Sequence, residues 1–92
     1  MPTIAAWLKI DGEHAVRDLQ QACEKLDGAE GELVLDFSSI VRMDPAAINA
    51  LDDLALAADQ KGVKVALRGV NVDVYKVLKL VKMTPRFSFR GQ

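Results

Sequence analysis

One cysteine and one histidine in 92 residues exclude most of the side-chain chemistry a small protein draws on. Cys23 has no partner for an internal disulfide, which points to a reducing compartment. With His14 alone beside it, it cannot complete a four-ligand zinc site. A histidine-based nucleophile or acid–base pair needs a second group in reach, and none stands near His14 in sequence. No apolar run approaches the roughly 20 residues of a membrane-spanning helix. Residues 1–9 have no basic segment before their apolar ones, so no secretory leader is expected and the expected location is the cytoplasm. Nucleotide-binding glycine loops are missing too. Gly28-Ala-Glu-Gly31 lacks the Lys-Ser/Thr ending of a P-loop, and no GxGxxG occurs. The paired acids Asp52-Asp53 and Asp11/Glu13 read as solvated helix and turn charges rather than magnesium ligands. The expectation is therefore a protein that is not an enzyme and needs no cofactor or metal.

What is present is a single small domain over residues 1–92, half hydrophobic, with one modest core and marginal stability. Its net charge of −1 hides a division. Residues 1–60 hold four basic and twelve acidic residues, and residues 61–92 hold eight basic and one acidic, Asp73. A polarised charge of this kind steers partners or favours head-to-tail contact. The basic third could meet phosphates, but no aromatic–basic stacking motif accompanies it, so nucleic acid ranks well below a protein partner.

The hydrophobic periods alternate between strand and helix. Residues 3–10 read as a strand stopped by Asp11-Gly12. Residues 13–27 read as a helix with the apolar stripe Val16, Leu19, Cys23 and Leu26, which makes Cys23 a small core residue. Residues 32–37 read as a buried strand. Asp44 is a good helix N-cap and Pro45 suits the first helical position, so a helix is expected over 45–61, ending before Gly62. Residues 63–68 alternate apolar and basic, giving a strand with one wetter face. Asn71 caps a helix over 72–82 with the stripe Val74, Val77, Leu78 and Val81, and Pro85 prevents its continuation. Residues 86–90 form a last strand with Phe87 and Phe89 on one face. The pattern βαβαβαβ argues for an α/β fold with a mainly parallel sheet and packed helices.

The segment Leu33-Val-Leu-Asp-Phe-Ser-Ser-Ile-Val-Arg-Met-Asp44 resembles the signature of STAS domains: a buried strand ending in Leu-Asp, a short turn, and an Asp at a helix start. Trp7-Leu-Lys-Ile-Asp-Gly-Glu13 resembles the family's strand before its first helix, and Gly62, Asn71 and Phe87 fall where later elements require. The resemblance spans nearly the whole chain and implies a single STAS-like domain similar to anti-sigma factor antagonists. It places a partner-docking surface on Ser38, Ser39, Arg42, Met43, Asp44, Pro45, Ala46, Asn49, Ala50 and Asp53. Helical spacing points Ala46, Asn49, Ala50, Asp53 and Ala57 away from the core stripe. The implied partner is an anti-sigma factor kinase or, alternatively, a transporter ATPase for which the chain is an accessory subunit. In the antagonists the residue after the Asp is a serine or threonine whose phosphorylation breaks the complex. Here it is Pro45, which has no hydroxyl, so no phosphorylation is expected there. Ser38 and Ser39 are the secondary phosphorylation reading, against plain turn serines. Many STAS domains carry a further strand before the first one here. Its absence would leave strand 3–10 at an edge, where a homodimer or another chain could pair.

Overall fold

Four strands lie side by side in the order in which the chain makes them. They are β1 (Ile4–Lys9), β2 (Glu32–Asp36), β3 (Lys64–Arg68) and β4 (Ser88–Arg90), each parallel to its neighbour. Three helices connect them: α1 (Ala15–Lys25), α2 (Pro45–Lys61) and α3 (Val72–Leu80). The computed structural model describes residues 4–26 and 31–90. Thr3, Asp27 and Gly28, which close or break expected elements, lie outside them.

A parallel strand–helix–strand unit crosses over right-handedly. Three such steps in the same direction bring all three helices to one face of the sheet. The core records this arrangement. Leu33 and Leu35 of β2, with Val65 and Leu67 of β3, share one cluster with Leu19 and Ala22 of α1, Leu51 and Leu54 of α2, and Val74 and Leu78 of α3. Each fully buried leucine in this cluster contributes about 1.5–3 kcal/mol of transfer free energy. β1 and β4 are the sheet edges, as expected for the first strand.

The opposite face carries no helix among the described residues, yet Val34 and Ala66 are buried there. Pairing sets Trp7, Val34, Ala66 and Ser88 in one row. The Arg68 guanidinium stands 5.0 Å from the centre of the Trp7 ring, so this pair reaches from β1 to β3 across β2. Arg90 of β4 meets Glu32 of β2 at 2.8 Å, spanning β3. Long side chains thus roof small ones. For this reason β3 is not simply wet on one face: only Lys64 and Arg68 at its ends are exposed.

Local chemistry explains the element ends. Asp44 accepts from the Ala47 N–H at 2.8 Å, Pro45 takes the first helical position, and α2 runs over the expected 45–61. The first helix starts later than residue 13 because Asp11 caps a tight 3-10 turn, Gly12–His14, accepting from the Glu13 N–H at 2.9 Å. Its innermost residues are Leu19, Ala22 and Leu26, with Val16 and Cys23 half-buried at the flanks. The last strand is shorter than 86–90 because a second 3-10 turn, Thr84–Arg86, precedes it. Phe87 and Phe89 do share the core side, and Phe89 meets Tyr75 edge to face at 5.2 Å.

The third helix ends before Pro85 can act on it. Lys82 adopts φ +61°, its N–H reaches the Lys79 carbonyl at 3.1 Å, and the Met83 N–H reaches the Leu78 carbonyl at 2.9 Å. This is a Schellman stop, with buried Met83 as its apolar contact. Val81 is consequently exposed at the end of the helix rather than part of the buried stripe. Gly62 closes α2 in the same way at φ +70°, but Lys82 has a Cβ that disfavours this backbone. Lys82→Gly should therefore raise stability by about 0.5–1 kcal/mol, read as a higher urea midpoint with unchanged slope. An unchanged or lower midpoint would show that the turn tolerates lysine without strain.

Candidate functional site

The loop between β2 and α2 is fixed at almost every residue. Asp36 ends β2, and its carboxylate Oδ1 accepts from the Ser38 N–H at 2.9 Å. The Ile40 N–H closes a turn onto the Phe37 carbonyl at 2.9 Å. The Ser39 hydroxyl donates to the Ile10 carbonyl at 2.9 Å, which ties the loop to the end of β1. Asn71 does two tasks. Its Oδ1 caps α3 by accepting from the Val74 N–H at 2.7 Å, and its Nδ2 donates to the carbonyls of Ile40 and Val41 at 3.1 and 2.9 Å.

Two close approaches leave no room for side chains beside this loop. A Cβ on Gly12 would lie 2.6 Å from the Ser39 carbonyl oxygen. One on Gly69, whose φ is +73°, would lie 3.0 Å from the Ser38 Cβ. Glycine at both places lets the β1 and β3 ends clasp the loop.

Most of the expected docking residues face solvent. Ser38, Ser39, Arg42, Asp44, Pro45, Ala46, Asn49 and Asp53 are exposed. Met43 is not: its side chain is buried in the core, so it supports the surface from beneath. Ala50 is half-buried and Ala57 likewise packs against the core, because α1 lies alongside α2. Two of the five residues that helical spacing points away from the core stripe are thus partly covered. Ile40 is buried under the loop, while Val41 is 75% exposed beside Arg42. Apolar alternation gives no sign of it, since Ile40 and Val41 are adjacent and only the turn at 37–40 decides which one faces water.

Beside the loop is a shallow depression of about 700 Å³ lined by Asp11, Gly12, Glu13, Ser39, Val41, Arg42 and Asp44. Its charge is mostly acidic, with Arg42 as the one cation among these lining residues. His14 is exposed and stands 3.6 Å from Asp11. No group of three metal-ligating side chains occurs among the described residues. Asp52 pairs with Arg86 at 3.3 Å, joining α2 to the Thr84–Arg86 turn, and Asp53 is exposed.

The Ser38 N–H lowers the Asp36 carboxyl below the ordinary aspartate value, helped by the Ser38 hydroxyl, Lys9 and Arg68. Asp11 is lowered chiefly by the Glu13 N–H. A depressed carboxyl stabilises the fold above its unfolded value, and that contribution is lost as pH falls through the native value. Stability should therefore decline from roughly pH 5 toward pH 2. Asp36→Asn keeps an oxygen for the Ser38 N–H but cannot titrate, so its urea midpoint should fall less over this range. An identical acid slope would remove Asp36 from the account.

The fold has counterparts among solved structures. The SulP transporter STAS domain of Vibrio cholerae superposes with a TM-score of 0.78 at 18% identity, over 99% of this chain and 77% of that one. A Thermotoga maritima protein described as an anti-sigma factor antagonist superposes with a TM-score of 0.71 at 19% identity, over 92% of this chain and 72% of that one. No curated protein sequence matches the chain. The family described as "Mlab, STAS domain" matches residues 5–85, from β1 to the turn before β4, and the chain belongs to that STAS family.

Proposed function

We propose that this domain is a cytoplasmic regulatory module that acts by binding a partner protein through the 38–44 loop and the start of α2. The observation that carries the reading is the preorganised loop. Val41 and Arg42 project from a backbone held by Asn71, Ser39 and two close-packed glycines. A surface already fixed loses little conformational freedom on docking. Ala46 and Asn49 continue the exposed surface along the first turns of α2.

Pro45 has no hydroxyl, so binding here is not switched by phosphorylation at this position. Ser39 spends its hydroxyl on the Ile10 carbonyl, and the Ser38 N–H donates to the Asp36 carboxylate that closes the turn. Both fit turn serines better than kinase targets. Incubation with an antagonist-directed kinase and ATP should leave the intact mass unchanged. Stoichiometric phosphate on either serine, with loss of binding, would refute the unswitched reading.

Two partner classes follow. One is a kinase-type anti-sigma factor. The other is a transport ATPase, with this chain as accessory subunit; one structural neighbour is described as an anti-sigma factor antagonist and another as a transporter's STAS domain. Affinity capture with the purified chain, read by mass spectrometry, separates them. The surface itself is tested with Ala46→Arg plus Asn49→Arg, and separately with Val41→Asp, all at exposed positions. Ala50 is unsuitable, because its half-buried contact with α1 would confound folding with binding. Melting should stay near wild type while affinity falls at least about tenfold, or about 1.4 kcal/mol. Normal folding with undiminished binding would place the interface elsewhere.

A further inference from the structure

Strand order repeats chain order, so the division of charge along the sequence becomes a division in space. The acidic elements β1 to α2 occupy one side of the domain, and the basic β3, α3 and β4 occupy the other. Each side also carries a shaped feature. On α3, Val72, Lys76 and Leu80 form one outward row at spacing four, with Lys79 beside them. Val72 is 67% exposed and Leu80 81% exposed. A lone exposed leucine means little. Here it belongs to a ridge of apolar and cationic side chains, and the same molecule carries a matching groove.

That groove runs between α1 and α2, with a volume of about 430 Å³, lined by Leu19, Gln20, Cys23, Glu24, Ala50 and Asp53. Leu19, Cys23 and Ala50 make an apolar floor, and Glu24 and Asp53 supply exposed carboxylates. Neither Glu24 nor Asp53, nor Lys76 nor Lys79, makes an ion pair among the described residues. The groove between α1 and α2 is open along its length, so a row of side chains at spacing four on another helix can lie in it.

We propose that the domain associates with further copies of itself head to tail, the outer row of α3 in one copy lying in the α1–α2 groove of the next. Leu80 meets the apolar floor while Lys76 and Lys79 meet Glu24 and Asp53. Ridge and groove are different surfaces, so the contact is heterologous. Each added copy leaves one ridge and one groove open, and the assembly grows past a dimer unless its rotation closes a ring. The proposal stands apart from the docking function. It does bear on it, because Ala50 and Asp53 border the partner surface, and a partner seated there competes with the next copy.

Sedimentation equilibrium of the full chain, from micromolar to millimolar, tests this. At about 0.1 M NaCl the mean mass should rise with concentration beyond a dimer. At about 1 M the Debye length shrinks from about 10 Å to about 3 Å, and association should weaken by about tenfold or more. Lys76→Glu plus Lys79→Glu should remain monomeric alone, as should Glu24→Lys plus Asp53→Lys. Mixed in equal amounts, the two should associate again. Leu80→Gln, a single change at an exposed site, should also weaken association at least about tenfold, so the test survives if a charge variant misfolds. A wild type that stays monomeric at millimolar concentration overturns the proposal. A closed dimer indifferent to salt and to all three variants overturns it as well, and points instead to pairing through the β1 edge. Failure of the mixed variants to associate, with both folded, also overturns it.

Discussion

Everything in this domain follows from three right-handed crossovers taken in the same direction. Each places its helix on the same face of the sheet and the next strand beside the last. The helix side gains one continuous core, from Leu19 on α1 to Leu78 on α3. The other side gains no helix among the described residues and must bury what it can with strand side chains alone. All four strands also end at the same end of the sheet, so the segments that leave β1, β2 and β3 meet there. A single topological rule thereby sets the core, the bare face and the gathering of the loops.

The loop cluster shows how little is needed to turn that gathering into a rigid surface. Asn71 is an ordinary helix cap for α3, yet its other amide atom holds the Ile40 and Val41 carbonyls. These loop carbonyls have no strand partner, and an unpaired backbone group is costly when shielded from water. One side chain therefore starts a helix and satisfies a loop. The Asp36 and Ser39 contacts extend the same economy to the other side of the loop. Val41 and Arg42 are presented on a frame whose geometry is set by neighbours, not by their own packing.

Much of this architecture is legible in the residues, because its signals are local. Asp44 and Pro45 before an apolar period, with Gly62 after it, mark α2 at both ends. The alternation of strand and helix periods implies a parallel sheet, and the Leu33–Asp44 segment carries the family likeness. What could not be read depends on contacts distant in sequence. Met43 is buried and Val41 exposed because of a turn held by residues of β1 and α3. Ala50 is half-covered because α1 lies beside it, and no helical wheel contains α1. Pro85 marks a point that α3 cannot pass, yet a left-handed Lys82 ends the helix first, at Leu80. A lysine in that conformation has no strong sequence signal, since glycine is the usual mark of such a stop.

The bare face of the sheet carries the last constraint. A two-layer domain of this size exposes one side of its central strands, and apolar residues there would form a sticky patch. Two long-range pairs meet the problem. Trp7 and Arg68 reach across β2 above Val34, and Arg90 and Glu32 reach across β3 above Ala66. The roof depends on the floor being small: alanine at 66 leaves room for the Arg90 stem, and an aliphatic stem can cover apolar surface while its charge stays wet. The charged residues that make the β3–β4 side basic are thus also part of its burial. Their guanidinium groups are committed to Trp7 and Glu32. On α3, Lys76 and Lys79 face outward beside Leu80 and make no ion pair among the described residues. Arginine on the sheet thus helps to hold the domain together, while the lysines of α3 take no part in its burial.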